Sequence, residues 1–400
     1  MARRDTRTID VAPDVAGPRL VMLLIVLALT LLGFVMIYSA SSISAITEEG
    51  NSTSYLVDQL VFAVLGIAAG FLLWKVIPYQ FWATPAIWVI WGLAIGLLLL
   101  TAVMGTAALG AQRWLVLGPI SLQPSEFAKI AIVLMAAYQF SNLRTGYIDR
   151  RQFFITLLLC VIIPTGFLYG TQSDLGTTAI IAVGILAVMW FGEVPLRTLL
   201  IVVGCLFLFA IFAVVLSGYR GDRFLFLNPW NDGEDGYGKG YQLVHSYYAI
   251  SEGGLFGVGL GNSREKYLYL PESETDFIFA IICEELGLVG ALIVIAAFLV
   301  LLWAGMRIAR GANDDFGAMI AGSITVMLVF QAFLNIGCAI GVFPTTGKPL
   351  PFISSGGSSL IASFMMAGIV LSVSENRLVR EEPNRRRDEL RVVRSTGKRR

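Results

Sequence analysis

Residues Gly259–Gly290 read GLGNSREKYLYLPESETDFIFAIICEELGLVG. A glycine-rich polar stretch ends in Pro271-Glu272-Ser273-Glu274-Thr275-Asp276, and an apolar run follows from Phe277. That run predicts a membrane helix over 277–303. Asp276 then stands at the helix entrance, and Glu284 and Glu285 lie inside it. Charges within a bilayer are costly and call for a function or a partner. The two glutamates lie roughly 12–14 Å beyond Asp276 at 1.5 Å per residue, too far to share its proton, so pairing with cations in the bundle is expected.

The rest of the chain repeats the pattern. Of 400 residues, 56% are hydrophobic and 14% charged, against about 25% charged in soluble domains. Apolar runs at 20–37, 57–74, 82–104, 125–140, 153–169, 175–191, 196–216, 277–303, 317–342 and 353–374 predict ten spans. The expected fold is an all-α polytopic membrane protein. It divides into a polar N-terminal tail (1–19), a membrane domain (20–375) and a basic C-terminal tail (376–400). With the N-terminus cytoplasmic, inside loops hold Lys75, Arg144, Arg150, Arg151, Arg197, Arg307 and Arg310, and short outside loops hold Arg113 and Lys348. This asymmetry puts both termini inside and makes residues 217–276, between the seventh and eighth spans, a large extracytoplasmic loop.

Within that loop, Leu243, Tyr247 and Ile250 recur at helical spacing. They predict a short amphipathic helix, either on the membrane surface or packed against other helices. The glycines at 253, 254, 257, 259 and 261 include GxGxG, but no strand–helix unit surrounds them, so they carry no nucleotide site. Net charge is +1, with no demand for nucleic acid. The tail residues Arg385-Arg386-Arg387 and Lys398-Arg399-Arg400 suit a cytoplasmic location, with anionic lipid or a partner as a second use. Cys160, Cys205, Cys283 and Cys338 lack metal-ligand spacing, and His245 stands alone, so no metal site is expected from the protein itself.

Three constellations could carry chemistry. Asp276 is either a helix cap or a general base tuned by burial and nearby cations. Pro124 and Ser125 start a helix on which Glu126 and Lys129 share a face at i, i+3, as a buried ion pair or as the wall of a polar cavity. Arg113, in the loop before it, has a guanidinium suited to a diphosphate. The third runs from Asn335 through Pro344-Thr345-Thr346-Gly347-Lys348 to Ser359, too rich in proline and glycine to be one helix. Irregular backbone at membrane depth is tolerated only when buried in protein or lining a cavity. Asp276, Arg113 and Lys348 converge on one side of the membrane. Asp174 also starts a span there, and capping is its simplest reading.

Together, GLGNS…K…YLPE…TDFIFA…EELG, QPSEFAK and LPFIS-GGSS resemble the SEDS family (shape, elongation, division and sporulation), typified by FtsW and RodA. The resemblance covers nearly the whole chain. It implies ten transmembrane helices in the bacterial plasma membrane and a processive peptidoglycan glycosyltransferase acting on lipid II. It also implies a class B penicillin-binding protein, an FtsI-like transpeptidase, as partner, with other divisome proteins and membrane lipid around it. The family's essential acid maps to Asp276, and its Glu/Lys pair maps to Glu126 and Lys129. Arg113, Lys129, Lys266 and Lys348 are the expected stabilisers of the leaving diphosphate, alone or with a divalent cation such as Mg or Mn. Gly259–Ser263 and Lys266 look more like FtsW than RodA, which points to septal synthesis in cell division. An elongation polymerase, a lipid II flippase and a non-catalytic scaffold are the alternatives. Ser173, His245 and Ser355 depart from the family's frequent Pro, Gln and Tyr, and Lys348 comes later than the usual lysine.

Overall fold

A computed structural model describes residues 15–108, 111–117, 120–216 and 226–375. The two tails beyond 15 and 375, with the basic clusters predicted there, and residues 217–225 of the long loop lie outside these. Eleven helices organise the described residues. They are α1 (Ala16–Glu49), α2 (Ser54–Val76), α3 (Ala86–Met104), α4 (Pro124–Arg144), α5 (Arg150–Gln172), α6 (Leu175–Phe191), α7 (Leu196–Leu216), α8 (Tyr241–Gly253), α9 (Ile278–Arg310), α10 (Asp315–Ala339) and α11 (Gly357–Glu375). Seven of them, α1, α2, α3, α5, α9, α10 and α11, are long and apolar enough to cross a membrane. Helices α4, α6 and α7 occupy the other three predicted positions.

Local chemistry sets the ends. Pro124 opens α4 at its first turn, where a missing N–H costs nothing. Asp149 and Gln152 form a capping box on α5. Asp174 caps α6 through the Thr177 N–H, and Asp314 caps α10 through the Gly317 N–H. The run predicted to begin at 82 is split: Tyr79–Ala83 is a short 3₁₀ turn and α3 starts after Pro85.

The expectation of an all-α chain is corrected in one loop. Strands β1 (Thr106–Ala108), β2 (Ala111–Leu117) and β3 (Ile120–Leu122) form a small antiparallel sheet in the order β1-β2-β3. Between two helices, this short meander satisfies its own backbone groups and gives Arg113 a fixed mount on β2.

Helix α9 packs against α1, α8 and α10, and α10 also packs on α4 and α6. Helices α2 and α11 come so close that a Cβ on Gly368 would overlap the backbone of Gly70, a small-residue contact typical of membrane helices. The predicted amphipathic helix forms as α8, and its stripe packs into the bundle. Leu243, Val244 and Ala249 are buried, and the Ser246 hydroxyl donates to the Ala339 carbonyl on α10 at 2.7 Å.

Helix α9 is broken. Gly287 adopts φ 69°, ψ −168°, a backbone that only glycine takes readily. The groups freed by the break are satisfied by the glycine-rich stretch after α8. Val258 and Gly259 N–H donate to the Glu284 and Glu285 carbonyls at 2.9 and 3.1 Å. Leu288 and Val289 N–H donate to the Gly254 and Leu255 carbonyls at 2.9 and 3.1 Å. Neither Gly253 nor Gly257 has room for a Cβ, which would overlap the carbonyls of Cys283 and Glu285. GxGxG is therefore a strap across a broken helix.

Candidate active site

The segment from Pro344 to Ser355 has no helix, and Leu350, Phe352 and Ile353 in it are fully buried. Its backbone is clipped to the turn before α9. The Ser354 hydroxyl donates to the Thr275 carbonyl at 2.6 Å, and the Ser355 N–H donates to the Glu274 carbonyl at 2.9 Å. The Asn335 amide on α10 donates to the Asp276 and Lys348 carbonyls, each at 2.8 Å. Two stretches far apart in sequence are thus held in one register by one buried amide.

Asp276 caps no helix with its side chain. Its carboxylate accepts no hydrogen bond from the described residues. The Gly347 backbone passes beside the acid, where a Cβ would lie in ordinary contact with Oδ2 at 3.5 Å, and its φ of 63° favours glycine. Burial pushes the carboxyl up to about 6, helped by the Glu272 charge and opposed by Lys348 and Arg113. A carboxylate poised near neutrality, without a protein proton donor, is what a general base requires.

Behind it lies a buried chain of charges. Lys348 Nζ contacts Asp174 Oδ2 at 2.8 Å and Glu126 Oε1 at 3.6 Å. Glu126 Oε2 meets Lys129 Nζ at 2.6 Å, and Lys129 also donates to Gln331 Oε1 at 2.7 Å. Gln331 returns its amide to the Pro349 carbonyl at 3.0 Å. All four charges are essentially inaccessible, and they balance two against two, which is how ions persist in a low-dielectric interior. Burial, the largest cause, would raise Asp174 and lower Lys348, but it is outweighed by their mutual contact together with the Thr177 N–H and hydroxyl on Asp174 and Glu126 beside Lys348. Asp174 ends below, and Lys348 above, its ordinary range. Lys348 reaches this seat across Gly176, where a Cβ would sit 2.5 Å from the lysine stem.

Arg113 anchors to the end of α5, donating Nε to the Gln172 carbonyl at 2.9 Å and Nη2 to the Ser173 carbonyl at 3.2 Å. Its Nη1 has no hydrogen-bond partner among the described residues. Ser173 stands at φ 49°, which proline cannot adopt, so this turn differs from one built on Pro at that position. Gln172 is fully buried with neither amide atom bonded, and the Ser125 hydroxyl and Asn335 Oδ1 are likewise unpartnered. Such orphans cluster where water or a ligand completes the bonding.

The structure brings Asp276, Arg113, Glu126, Lys129 and Lys348 into one electrostatic unit. It does not bring Lys266 there. Lys266 Nζ donates to the Gly261 carbonyl at 2.6 Å and to Ser39 and Glu285 at 3.3 Å. Glu284 accepts from the Ser263 hydroxyl at 2.5 Å and the Arg264 N–H at 2.6 Å. His245 pairs with Glu265 at 2.6 Å and packs on Tyr241, pinning the loop to α8. Sequence reasoning missed Gln331 and the pairing of Asp174. An amide inside the apolar run VMLVFQAFLN was the available signal for Gln331. Among the described residues, no group of three or more His, Cys, Asp and Glu could hold a metal ion.

The chain is similar to known proteins over most of its length. The sequence model of the family described as "Cell cycle protein" (FtsW/RodA/SpoVE) matches residues 19–378. Stage V sporulation protein E of Bacillus subtilis is 39% identical over 362 residues, 90% of this chain and 97% of that one. A probable peptidoglycan glycosyltransferase FtsW of Trichlorobacter lovleyi is 38% identical over 361 residues, 89% of this chain and 92% of its own. A chain from a structure on the coordination of polymerization and crosslinking by a peptidoglycan synthase complex superposes with TM-score 0.72 at 29% identity, covering 89% of this chain and 97% of that one. The Thermus thermophilus rod shape determining protein RodA gives 0.65 at 28% identity, covering 89% and 96%. With the family model spanning most of its length and the fold shared with RodA, this membrane-embedded chain belongs to the FtsW/RodA/SpoVE family.

Proposed function

We propose that the chain is a peptidoglycan glycosyltransferase that polymerises lipid II. The growing glycan passes from its undecaprenyl diphosphate to the 4-hydroxyl of the next lipid II, and the α-linked donor becomes a β-1,4 link by one inverting displacement. The observation that carries this reading is the Asp276 carboxylate, partly buried, raised to about 6 and without a hydrogen-bond donor among the described residues. It takes the acceptor proton as the new bond forms. Arg113, with an unused guanidinium nitrogen, faces the departing diphosphate. Lys348 acts from behind through its field, and Glu126 and Lys129 hold Lys348 and Gln331 in place. Lys266 supports the loop. Cations and carboxylates in the set are equal in number, and Glu126 and Asp174 already hold lysines, so among the described residues the set does not fit a protein-built metal site and no step is drawn through a metal.

A flippase would need a polar path across the bilayer. Beyond Lys129 and Gln331 the buried side chains are mostly apolar, with Val133, Leu134 and Ala137 on α4 and Ile324, Met327 and Leu328 on α10. The buried polar ones, Gln139, Ser323 and Thr325, bond to partners within their own helix or, for Gln139, also to Thr156. This favours polymerisation. The topology that goes with it has ten spans, adding α4, α6 and α7 to the seven, with both termini cytoplasmic and residues 217–276 outside, in the plasma membrane. The partner is a class B penicillin-binding protein. Similarity to FtsW and Stage V sporulation protein E favours a septal over an elongation role.

The test is polymerisation of lipid II by purified protein and partner in detergent, where transport has no meaning. Glycan polymer that vanishes in Asp276→Asn supports the reading. Polymer that persists in folded Asp276→Asn removes the general base. Filamentous cells on depletion indicate division, and rounded cells indicate elongation.

A further inference from the structure

From the levels of α1 and α9 in the bilayer, we infer that residues 255–260 form an interfacial anchor whose apolar side chains insert into the lipid of the leaflet on the Asp276 side. Two helices fix that level independently. On α9, Arg307 and Arg310 close the far end, and the Arg307 guanidinium lies 5.8 Å from the Trp303 ring, the residue types that mark a membrane–water boundary. Nineteen residues back from Arg307 is Leu288, about 29 Å at 1.5 Å per residue, close to the hydrocarbon thickness of about 30 Å. Leu288, Leu292 and Ile293 are exposed along this limb, whereas every residue from Phe277 to Glu285 is buried. Lipid contact on α9 therefore starts at the Gly287 break.

On α1 the same count runs from Arg19 to Tyr38, with Leu20, Leu24, Leu27, Leu31 and Val35 exposed between them. The next residue, Ser39, donates its hydroxyl to Glu285 Oε1 at 2.6 Å. The upper edge of the lipid-facing band on α1 thus coincides with that on α9. The strap is hydrogen-bonded at this level, since Leu255 O accepts from Val289 N–H. Its side chains are not folded inward: Leu255, Phe256, Val258 and Leu260 are 62, 78, 40 and 55% exposed. Charged residues border them: Glu252 and Arg264, exposed before and after the strap in sequence, meet each other at 3.9 Å. Four apolar side chains continuous with a lipid-facing helix flank, at its upper edge and bordered by charge, fit a bilayer interface. This inference needs only the membrane embedding and is independent of the catalytic reading.

The test uses the full chain in lipid nanodiscs, in a Cys205→Ser background, since Cys205 is the exposed cysteine among the described residues. Phe256→Cys, Leu260→Cys and Tyr237→Cys are labelled with an environment-sensitive nitrobenzoxadiazole dye. Positions 256 and 260 are expected to be quenched at least about twofold by phospholipid with a shallow doxyl group and to resist aqueous iodide. Position 237, exposed in the loop, should show the reverse. Iodide quenching at 256 and 260 equal to that at 237 overturns the proposal. So does protection from both quenchers, which would mean that protein rather than lipid covers the strap.

Discussion

Asp276, in the turn before α9, and Glu284 and Glu285, inside the helix, lie nine residues apart at most and live in opposite chemistries. Glu284 and Glu285 are enclosed: Ser263, Arg264, Ser39 and Lys266 all donate to them. Their geometry holds the loop that straps the Gly287 break. Asp276 has cations in its field but no donor on its oxygens among the described residues, and burial, with the Glu272 charge, raises its pKa to about 6. Glu284 has donors on both oxygens and Glu285 has three on Oε1, with Oε2 unpartnered, which suits structural parts. A desolvated carboxylate without donors suits the general base proposed above. The same residue class is sorted by what its neighbours donate.

The comparison breaks first on activity. Asp276→Asn is expected to lose about 10²- to 10⁴-fold in polymerisation rate, the usual range for a general base, with the protein still folded. Glu284→Ala is expected to act the other way. It strands the Arg264 N–H and the Ser263 hydroxyl, and lowers stability by about 1–3 kcal/mol per unsatisfied group. Thermal midpoints in detergent, read beside glycan polymer on gels, separate the two. A stable, inactive Glu284→Ala would put the second cluster into the catalytic machinery.

Next in size is the charge chain behind Asp276. Lys129→Met leaves Glu126 buried without its 2.6 Å partner, at a cost of about 3–5 kcal/mol. Glu126→Leu combined with Lys129→Met removes both charges but leaves Lys348 with Asp174 alone. The double variant should recover part of the stability and little of the activity. Full recovery of activity would mean that the chain serves packing only.

These two regions also mark what was legible in the sequence. Runs of bilayer length announce helices because lipid leaves the backbone no other option, and the predicted positions of all ten runs contain helices. The break at Gly287 was hidden because EELGLVG reads as continuous apolar helix, and the backbone that mends it lies some thirty residues upstream. The sheet at 106–122 has strands of three, seven and three residues, too short to show alternation. Lys266 stands in the sequence with Arg113, Lys129 and Lys348 as an expected stabiliser of the diphosphate. Sequence gives a residue's side but not its partner, and Glu285 is the partner. Asp174 looked like a cap and is one, but its second oxygen also holds Lys348.

A smaller effect is on stability and has a defined sign. The folded-state pKa of Asp276 lies above its ordinary 3.8, so the folded chain holds that proton more tightly than the unfolded one. The contribution is fully present below pH ~4 and is lost as pH rises through ~6. An amide at this position stays neutral throughout and has no such contribution to lose. Asp276→Asn should therefore be more stable than the parent at pH 7.5, by about 2 kcal/mol allowing for partial exposure, and equal to it near pH 4. Equal thermal midpoints at both pH values would mean that Asp276 is not strained by burial.

The smallest effect is a shift of the pH profile, and it tests whether Lys348 and Arg113 act on Asp276 at all. If Asp276 is the base, polymerisation rises with pH along a limb centred near 6. Lys348 and Arg113 both lower the Asp276 pKa, and Lys348 does so more strongly. Removing either cation therefore moves the limb to higher pH, further for Lys348→Met than for Arg113→Met, by up to about one unit, worth about 1.4 kcal/mol. A residue that only holds the fold would lower the plateau and leave the midpoint where it was. Arg113→Lys keeps the charge but not the fork on the Gln172 and Ser173 carbonyls, so it should retain the midpoint and lose rate. If both methionine variants leave the midpoint unmoved, the cations are scaffolding, and Asp276 differs from Glu284 and Glu285 only in its lack of donors.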